Sequence, residues 1–226
     1  GGSNAQGLHW YATSNALQEQ GWREESSSRV GQLFGKLGWN DARTDLSLTL
    51  AHAANRLYGN GLQEQGMLAR DYRSIYTKPD ITDNRSWFMN LAGRRELSDS
   101  AFVSGNAYFR TISTSTFNAD VNEASLDQNT GSNATTSPWA VTTPFPSARC
   151  LSNVAQGAAG EPGEKCNALL NSTRTDQRNY GISGQLTLLN ELAGRDNQFV
   201  LGAGYDESRS TFLQSTQLGT LNPDRS

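Results

Sequence analysis

The run Thr44-Asp45-Leu46-Ser47-Leu48-Thr49-Leu50-Ala51, extended to Asn55, decides the fold. Leu46, Leu48 and Leu50 recur at every second residue, with Asp45, Ser47, Thr49 and Ala51 between them. A period of two places the two sets on opposite faces of a β-strand; a helix would scatter both around its circumference. The same alternation returns along the chain. In residues 29–39, Leu33, Gly35, Leu37 and Trp39 oppose Gln32, Phe34 and Lys36. From about Asn84, Trp87, Met89, Leu91 and Gly93 oppose Ser86, Asn90, Ala92 and Arg94, with Phe88 out of pattern. In residues 101–111, Val103, Gly105, Ala107 and Phe109 oppose Ser104, Asn106, Tyr108 and Arg110. From about Asn179, Tyr180, Ile182, Gly184, Leu186 and Leu188 oppose Ser183, Gln185 and Thr187. In residues 197–210, Phe199, Leu201, Ala203 and Tyr205 oppose Gln198, Gly202, Gly204 and Asp206. Residues 7–17 are strand-like as well, but Leu8 and Trp10 compete with His9 and Tyr11 for the apolar face, and the orientation stays open.

The connections sort by parity. Residues 40–43, 96–100 and 191–196 are short, polar and turn-like. Residues 18–28, 56–83 and 112–178 are longer, the last two by far. Tight turns on one side and large loops on the other are the pattern of an up-and-down transmembrane barrel. The fold class expected is therefore all-β: an antiparallel up-and-down segment of about seven strands from a larger barrel. Strands through Leu46, Val103 and Phe199 run outward in this reading, and those through Leu33, Trp87 and Tyr180 run inward. An open piece of seven strands would leave two unpaired edges in lipid. Gly1-Gly2-Ser3-Asn4 and Asn222-Pro223-Asp224-Arg225-Ser226 also read as the interior of a longer chain. The competing architecture is a soluble β-sandwich, whose strands also alternate but whose loops need not.

Composition agrees with the barrel. Hydrophobic residues make up 35% of 226 and charged residues 18%, both low for a soluble domain. Disorder would bring high net charge and few aromatics, whereas here the net charge is -3 and the aromatic share 9%. Only alternate residues of a barrel strand meet lipid, so a polar average is what the architecture produces. No apolar run approaches the ~20 residues of a membrane helix. Without a Lys/Arg cluster to neutralise phosphates along a duplex, no nucleic-acid partner is expected.

Few residues invite chemistry. Cys150 and Cys166 are the only cysteines and share the longest loop, so a disulfide is expected, worth about 3 kcal/mol by loop entropy. As a metal site they would be a poor ligand set without a nearby His. His9 and His52 lie on different strands, and no G-x-S-x-G or H-E-x-x-H accompanies them. No enzyme, catalytic residue, metal or cofactor is expected. Trp10, Trp39, Trp87, Tyr180 and Phe109 fall near strand ends; an interfacial aromatic girdle and plain β-propensity both account for that. In the loops, Arg70, Tyr72, Arg73 and Tyr76, with Trp139 and Arg149, could grip a polar or anionic ligand.

Gly21-Trp22-Arg23, Gln32-Leu33-Phe34-Gly35-Lys36-Leu37-Gly38-Trp39, Asn60-Gly61-Leu62, Leu68-Ala69-Arg70 and Tyr76-Thr77-Lys78-Pro79-Asp80 together resemble the barrel region of TonB-dependent outer-membrane receptors. The likeness covers most of residues 1–111 and continues more loosely after Asn179, while the cysteine loop looks individual. It implies that residues 1–226 are part of a 22-stranded barrel whose plug and TonB box lie elsewhere in the parent protein. It further implies the bacterial outer membrane as location, its lipid as surroundings, and the TonB–ExbB–ExbD complex as energy source. The cargo implied is a scarce nutrient, first a ferric siderophore and otherwise haem, cobalamin or a sugar. Gln32, Lys36, Asn90, Arg94, Asn106, Arg110 and Gln185 would then line part of the lumen. A passive porin and a secreted sandwich module for binding or adhesion are the alternative functions.

Overall fold

The computed structural model describes residues 1–59, 61, 63, 65–121 and 168–219. In chain order the elements are β1 (Gly2–Ser3), β2 (Leu8–Glu19), β3 (Ser28–Asn40), β4 (Thr44–Tyr58), α1 (Gln65–Arg70), β5 (Asp80–Ser98), β6 (Ala101–Val121), β7 (Ala168–Leu192) and β8 (Arg195–Gly219). The strands form one antiparallel sheet in sequential order from β1 to β8. Up-and-down topology is thus as expected, with seven long strands and a two-residue β1 at the edge. A sandwich would need a second sheet, and the described strands all belong to this one.

Register turns seven separate alternations into one surface. Directly opposed residues on antiparallel strands share a face. Leu37, Leu48, Leu91, Ala107, Ile182 and Tyr205 form one such row across six strands. Gly35, Leu50, Met89, Phe109 and Tyr180 form the next. Trp10 opposes Leu37 and Leu8 opposes Trp39, so the apolar face of β2 carries Leu8 and Trp10, and His9 and Tyr11 take the other. That face stays uncovered: Leu46 is 42% exposed, Leu91 52% and Ile182 62%. The buried apolar residues are instead Ile75, Ala119, Val121 and Ala168, all near the long-loop end. Contiguous apolar surface on this scale is a membrane or partner interface. From Tyr180 to Leu188 the apolar stretch of β7 covers about nine residues, which at ~3.4 Å rise and ~40° tilt spans roughly 20–25 Å, the height of a barrel's lipid-facing band.

Several connections are tighter than the sequence implied, at residues 41–43, 99–100 and 193–194. Ala193 and Gly194 both take positive φ (54° and 73°), as a two-residue hairpin with the twist of its strands requires. The long connections shrink correspondingly. The loop expected at 56–83 is 59–79, with the short helix α1 inside it, and strand structure takes up residues 112–121 and 168–178 of the loop expected at 112–178. The reason is physical. Past the apolar band both faces of the strands are largely polar: residues 111–118 are mostly Thr, Ser and Asn, and Ile112 and Phe117 fall on opposite faces, which leaves no apolar alternation to read. Cross-strand hydroxyl bonds, such as Thr116 with Thr173 at 2.6 Å, hold these extensions. Cys150 and Cys166 lie outside the described residues.

Two expectations follow. In the full-length protein in lipid vesicles, Leu91→Arg lowers unfolding free energy by about 2–4 kcal/mol, the cost of a mid-membrane arginine. Ser47→Arg, on the opposite face, changes it by less than about 1 kcal/mol; denaturant midpoints of the two variants read the difference. In the 41–43 turn, the Asp41 carboxylate accepts the N–H of Arg43 at 2.8 Å and of Thr44 at 2.7 Å. The Arg43 bond, with Thr44 behind it, holds the Asp41 carboxyl below its usual range. A depressed folded value means the turn's contribution is complete above the unfolded carboxyl value of ~4 and is lost as pH falls through the lower folded one. Asp41→Ala should therefore weaken the protein at neutral pH and remove that part of its acid sensitivity, read by pH-dependent unfolding.

Candidate functional site: the long-loop platform and the polar face

At the long-loop end, two connections meet. Residues 20–27 join β2 to β3, and residues 59–79 join β4 to β5. Their backbones are tied where the Glu24 N–H donates to the Arg73 carbonyl at 2.9 Å. Gly21 has φ +68°, and a Cβ there would lie 2.1 Å from Ser26 Oγ, so the first loop requires glycine at that bend. Ser26 closes it, accepting the Arg23 N–H at 3.1 Å and donating to the Arg23 carbonyl at 2.8 Å. In the second loop Asp71 makes a turn of its own. Its side chain accepts the Arg73 N–H at 2.9 Å, and its carbonyl accepts the Ser74 hydroxyl at 2.7 Å.

This scaffold presents an aromatic and cationic surface. Trp22 and Tyr72 stack with ring centroids 6.1 Å apart and planes 13° from parallel. Both are largely exposed, at 60% and 66%. The Arg23 guanidinium sits 4.9 Å from the centre of the Trp22 ring, a cation–π arrangement. Arg70, at the end of α1, is exposed, and so is Arg73. Lys78 and Glu24 pair at 4.0 Å at its margin. Such a surface can hold a planar or anionic ligand through π faces and forked guanidinium donors.

The expected loop residues divide accordingly. Tyr72 and Arg73 are brought together in the platform, with Arg70 one helix end away. Tyr76 is drawn down against Val121 and Ala168, where it anchors the loop. Trp139 and Arg149 lie outside the described residues, as do the cysteines. Trp22 and Arg23 were missed as contact residues. The usable signal was an aromatic and an arginine following a turn glycine in an otherwise polar loop.

The second surface is the polar face of the sheet. Gln32, Lys36, Asn90, Arg94, Asn106, Arg110 and Gln185 all fall on it by register. Side chains bond across strands: Asn106 Nδ2 donates to Asn90 Oδ1 at 3.0 Å, and Ser183 Oγ donates in turn to Asn106 Oδ1. A second ladder runs from Asn55 through Asn84 to Thr114, at 2.8 and 2.7 Å. Tyr108 Oη reaches over β7 to Asp206 Oδ1 at 2.7 Å. Gly181 makes this possible, because a Cβ there would lie 2.2 Å from Asp206 Oδ1. The histidines serve structure: His52 stacks on Trp87 at 4.0 Å and bonds the Ser86 carbonyl, and His9 lies over Gly38. Among the described residues, no group of three or more His, Cys, Asp or Glu is placed to hold a metal.

No protein-family model matches the chain. No curated protein is similar to it in sequence. Among solved structures, the ferric citrate transporter FecA in its unliganded form matches with a TM-score of 0.65 at 10% identity. The match covers 96% of this chain and 26% of FecA, so the chain spans about a quarter of that protein's length. The likeness is one of fold: the described strands follow those of a transporter barrel.

If the Asp71 turn sets the platform, Asp71→Ala removes the acceptor of the Arg73 amide and loosens the turn that also holds the Ser74 amide on the Asp71 carbonyl. The hydrogen-exchange rates of both amides should then rise about fivefold, equivalent to ~1 kcal/mol of lost hydrogen bonding, with β-sheet amides unchanged.

Proposed function

We propose that this chain is part of the membrane barrel of a TonB-dependent receptor in the bacterial outer membrane, one that takes up a scarce nutrient, in the first place a ferric siderophore. The observation that carries the reading is the two-faced sheet. One face is a continuous apolar band without cover, the other a hydrogen-bonded polar surface, and the connections alternate short and long. An open edge in hydrocarbon leaves rows of backbone groups unsatisfied, at several kcal/mol each. The sheet is open between β1 and β8, so in this reading the parent protein supplies the strands that close it, 22 in all. The share of FecA covered supports a parent of that size.

In this reading the turns at 41–43, 99–100 and 193–194 face the periplasm, and the connections at 20–27 and 59–79 face the outside, at the end where β6 leads toward β7. Trp22, Arg23, Tyr72 and Arg73, with Arg70 beside them, receive the ligand. Guanidinium forks and π faces suit a ferric chelate that carries carboxylate or aromatic oxygen donors. Trp139 and Arg149 belong to the longest loop and would add to the same kind of contact. A plug from the parent protein couples the lumen to TonB–ExbB–ExbD, and the polar face lines the path. No bond is made or broken in such transport, so it calls on no catalytic group or cofactor.

The test is uptake of iron-loaded siderophore by a strain carrying the full-length protein as its sole receptor. Uptake should vanish without TonB, and Trp22→Ala with Tyr72→Ala should weaken binding about tenfold, roughly two aromatic contacts. Haem, cobalamin or sugar uptake with the same TonB dependence would change the cargo alone. Uptake indifferent to TonB, with open-channel conductance in planar bilayers, would replace the receptor by a porin.

A further inference from the structure

We propose that the apolar-side face of the sheet, just beyond its hydrophobic band at the long-loop end, binds phosphorylated head groups of the outer lipid leaflet through Arg29, Arg85, Arg178 and Arg209; the inference rests on the membrane reading above. The register places these arginines. Arg85 shares its face with Trp87, two residues along β5, and opposes Ala54 and Ser113. Arg178 directly opposes Arg209. Arg29 opposes Arg56 at the corresponding level of β3 and β4. On β3, β4, β5 and β7 the first charged side chain after the apolar stretch on this face is an arginine, and on β8 Glu207 comes first with Arg209 behind it.

The charge of this strip runs against that of the molecule. The whole chain carries -3. The strip has six arginines, including Arg56 and Arg174, against three carboxylates, Asp83, Asp176 and Glu207. Two of the carboxylates are ion-paired, and the third is hydrogen-bonded to tyrosine hydroxyls. Asp83 holds Arg56 at 2.8 Å, Asp176 holds Arg174 at 2.7 Å, and Glu207 accepts the Tyr205 hydroxyl at 2.8 Å. Among the described residues, the guanidinium groups of Arg29, Arg85, Arg178 and Arg209 have neither an ion pair nor a side-chain hydrogen bond.

Like charges directly opposite in a ladder are destabilising, so Arg178 facing Arg209 with no carboxylate between them calls for an anion. A phosphate supplies it, because its oxygens match the planar fork of arginine. Two adjoining depressions receive it. One is lined by Arg85, Trp87, Arg178 and Arg209 with Asp176, the other by Arg29, Arg56, Arg85 and Arg174 with Asp83, so arginines outnumber carboxylates in each and Arg85 is common to both. Trp87 fixes the level, since an indole at the edge of an apolar band sits among lipid head groups. Acyl chains of the same lipid would then lie on Leu33, Leu50 and Met89 below. That continuity of apolar band and cationic strip favours a lipid over a free phosphate.

The experiment uses the full-length protein in detergent, with bis-phosphorylated lipid A added and retained lipid counted by native mass spectrometry. Wild type should hold lipid A, and Arg178→Gln/Arg209→Gln should lower its affinity by about tenfold or more, as loss of charge-assisted hydrogen bonds requires. Arg178→Lys/Arg209→Lys keeps the charge and loses the fork, and should fall between. Arg95→Gln, at the short-turn end, should behave as wild type, and millimolar inorganic phosphate should not displace the lipid. Equal retention by wild type and the glutamine variant would overturn the proposal, as would displacement by inorganic phosphate. If the protein inserts into phosphatidylcholine vesicles yet shows no arginine-dependent lipid A binding, this inference alone fails. If it does not insert into phosphatidylcholine vesicles, with or without added lipid A, the membrane reading fails with it.

Discussion

The structure depends on backbone pairing that aligns side chains of like polarity from strand to strand. A shift of one residue between any two strands would send every leucine on one of them to the polar face. The observed register avoids this at each of the six long interfaces, from Leu37 opposite Leu48 to Leu186 opposite Leu201. The consequence is a sheet that hides little apolar surface within itself. Its stability has to come from hydrogen-bonded ladders and from a medium that accepts leucine, isoleucine and tryptophan on the outside. Both needs are met in lipid, where an unpaired peptide group is expensive and an exposed leucine is not.

The same constraint sorts the rest of the molecule by height. Within the band the two faces differ, oily on one side and laddered with Asn, Ser and Tyr on the other. Beyond it, arginines flank the aromatic residues on the outer face. Further still, both faces are polar, and the strands run on as hydroxyl-rich ribbons such as Thr114–Thr116 against Thr173–Thr175. Only above these do loop contacts build a local apolar nucleus, with Val121, Ala168 and Tyr76, and the exposed Trp22–Tyr72 stack. Loop platform and apolar band therefore occupy different levels of the same sheet.

What could be read in advance follows from which residues lie on the two-faced part of the strands. Leu46, Leu48 and Leu50 alternate because one face of the sheet is apolar and the other polar, and that signal carried the fold, the topology and the placing of Gln32, Lys36, Asn90, Arg94, Asn106, Arg110 and Gln185 on one polar face. Strand ends were illegible wherever the two faces do not differ in polarity, as from Ile112 to Val121, because nothing there enforces a period. The first strand was ambiguous because Tyr11 is aromatic like Trp10; only the pairing of Trp10 with Leu37 and of Tyr11 with Lys36 decides which lies on the apolar face. The platform was half legible. Tyr72 and Arg73 stand out by type, but Trp22 joins them through a backbone bond between Glu24 and Arg73, and no local pattern announces a contact between loops so far apart.

The most direct test is accessibility along β4. Single cysteines at positions 46 to 52 of the full-length protein, spin-labelled and studied in vesicles, report contact with lipid-soluble oxygen and with a water-soluble nickel chelate. The account predicts that positions 46, 48 and 50 favour oxygen and positions 47, 49 and 51 favour the chelate, in strict alternation. Labels at 46, 48 and 50 shielded from both reagents would contradict it, because those leucines would then lie inside a packed protein interior.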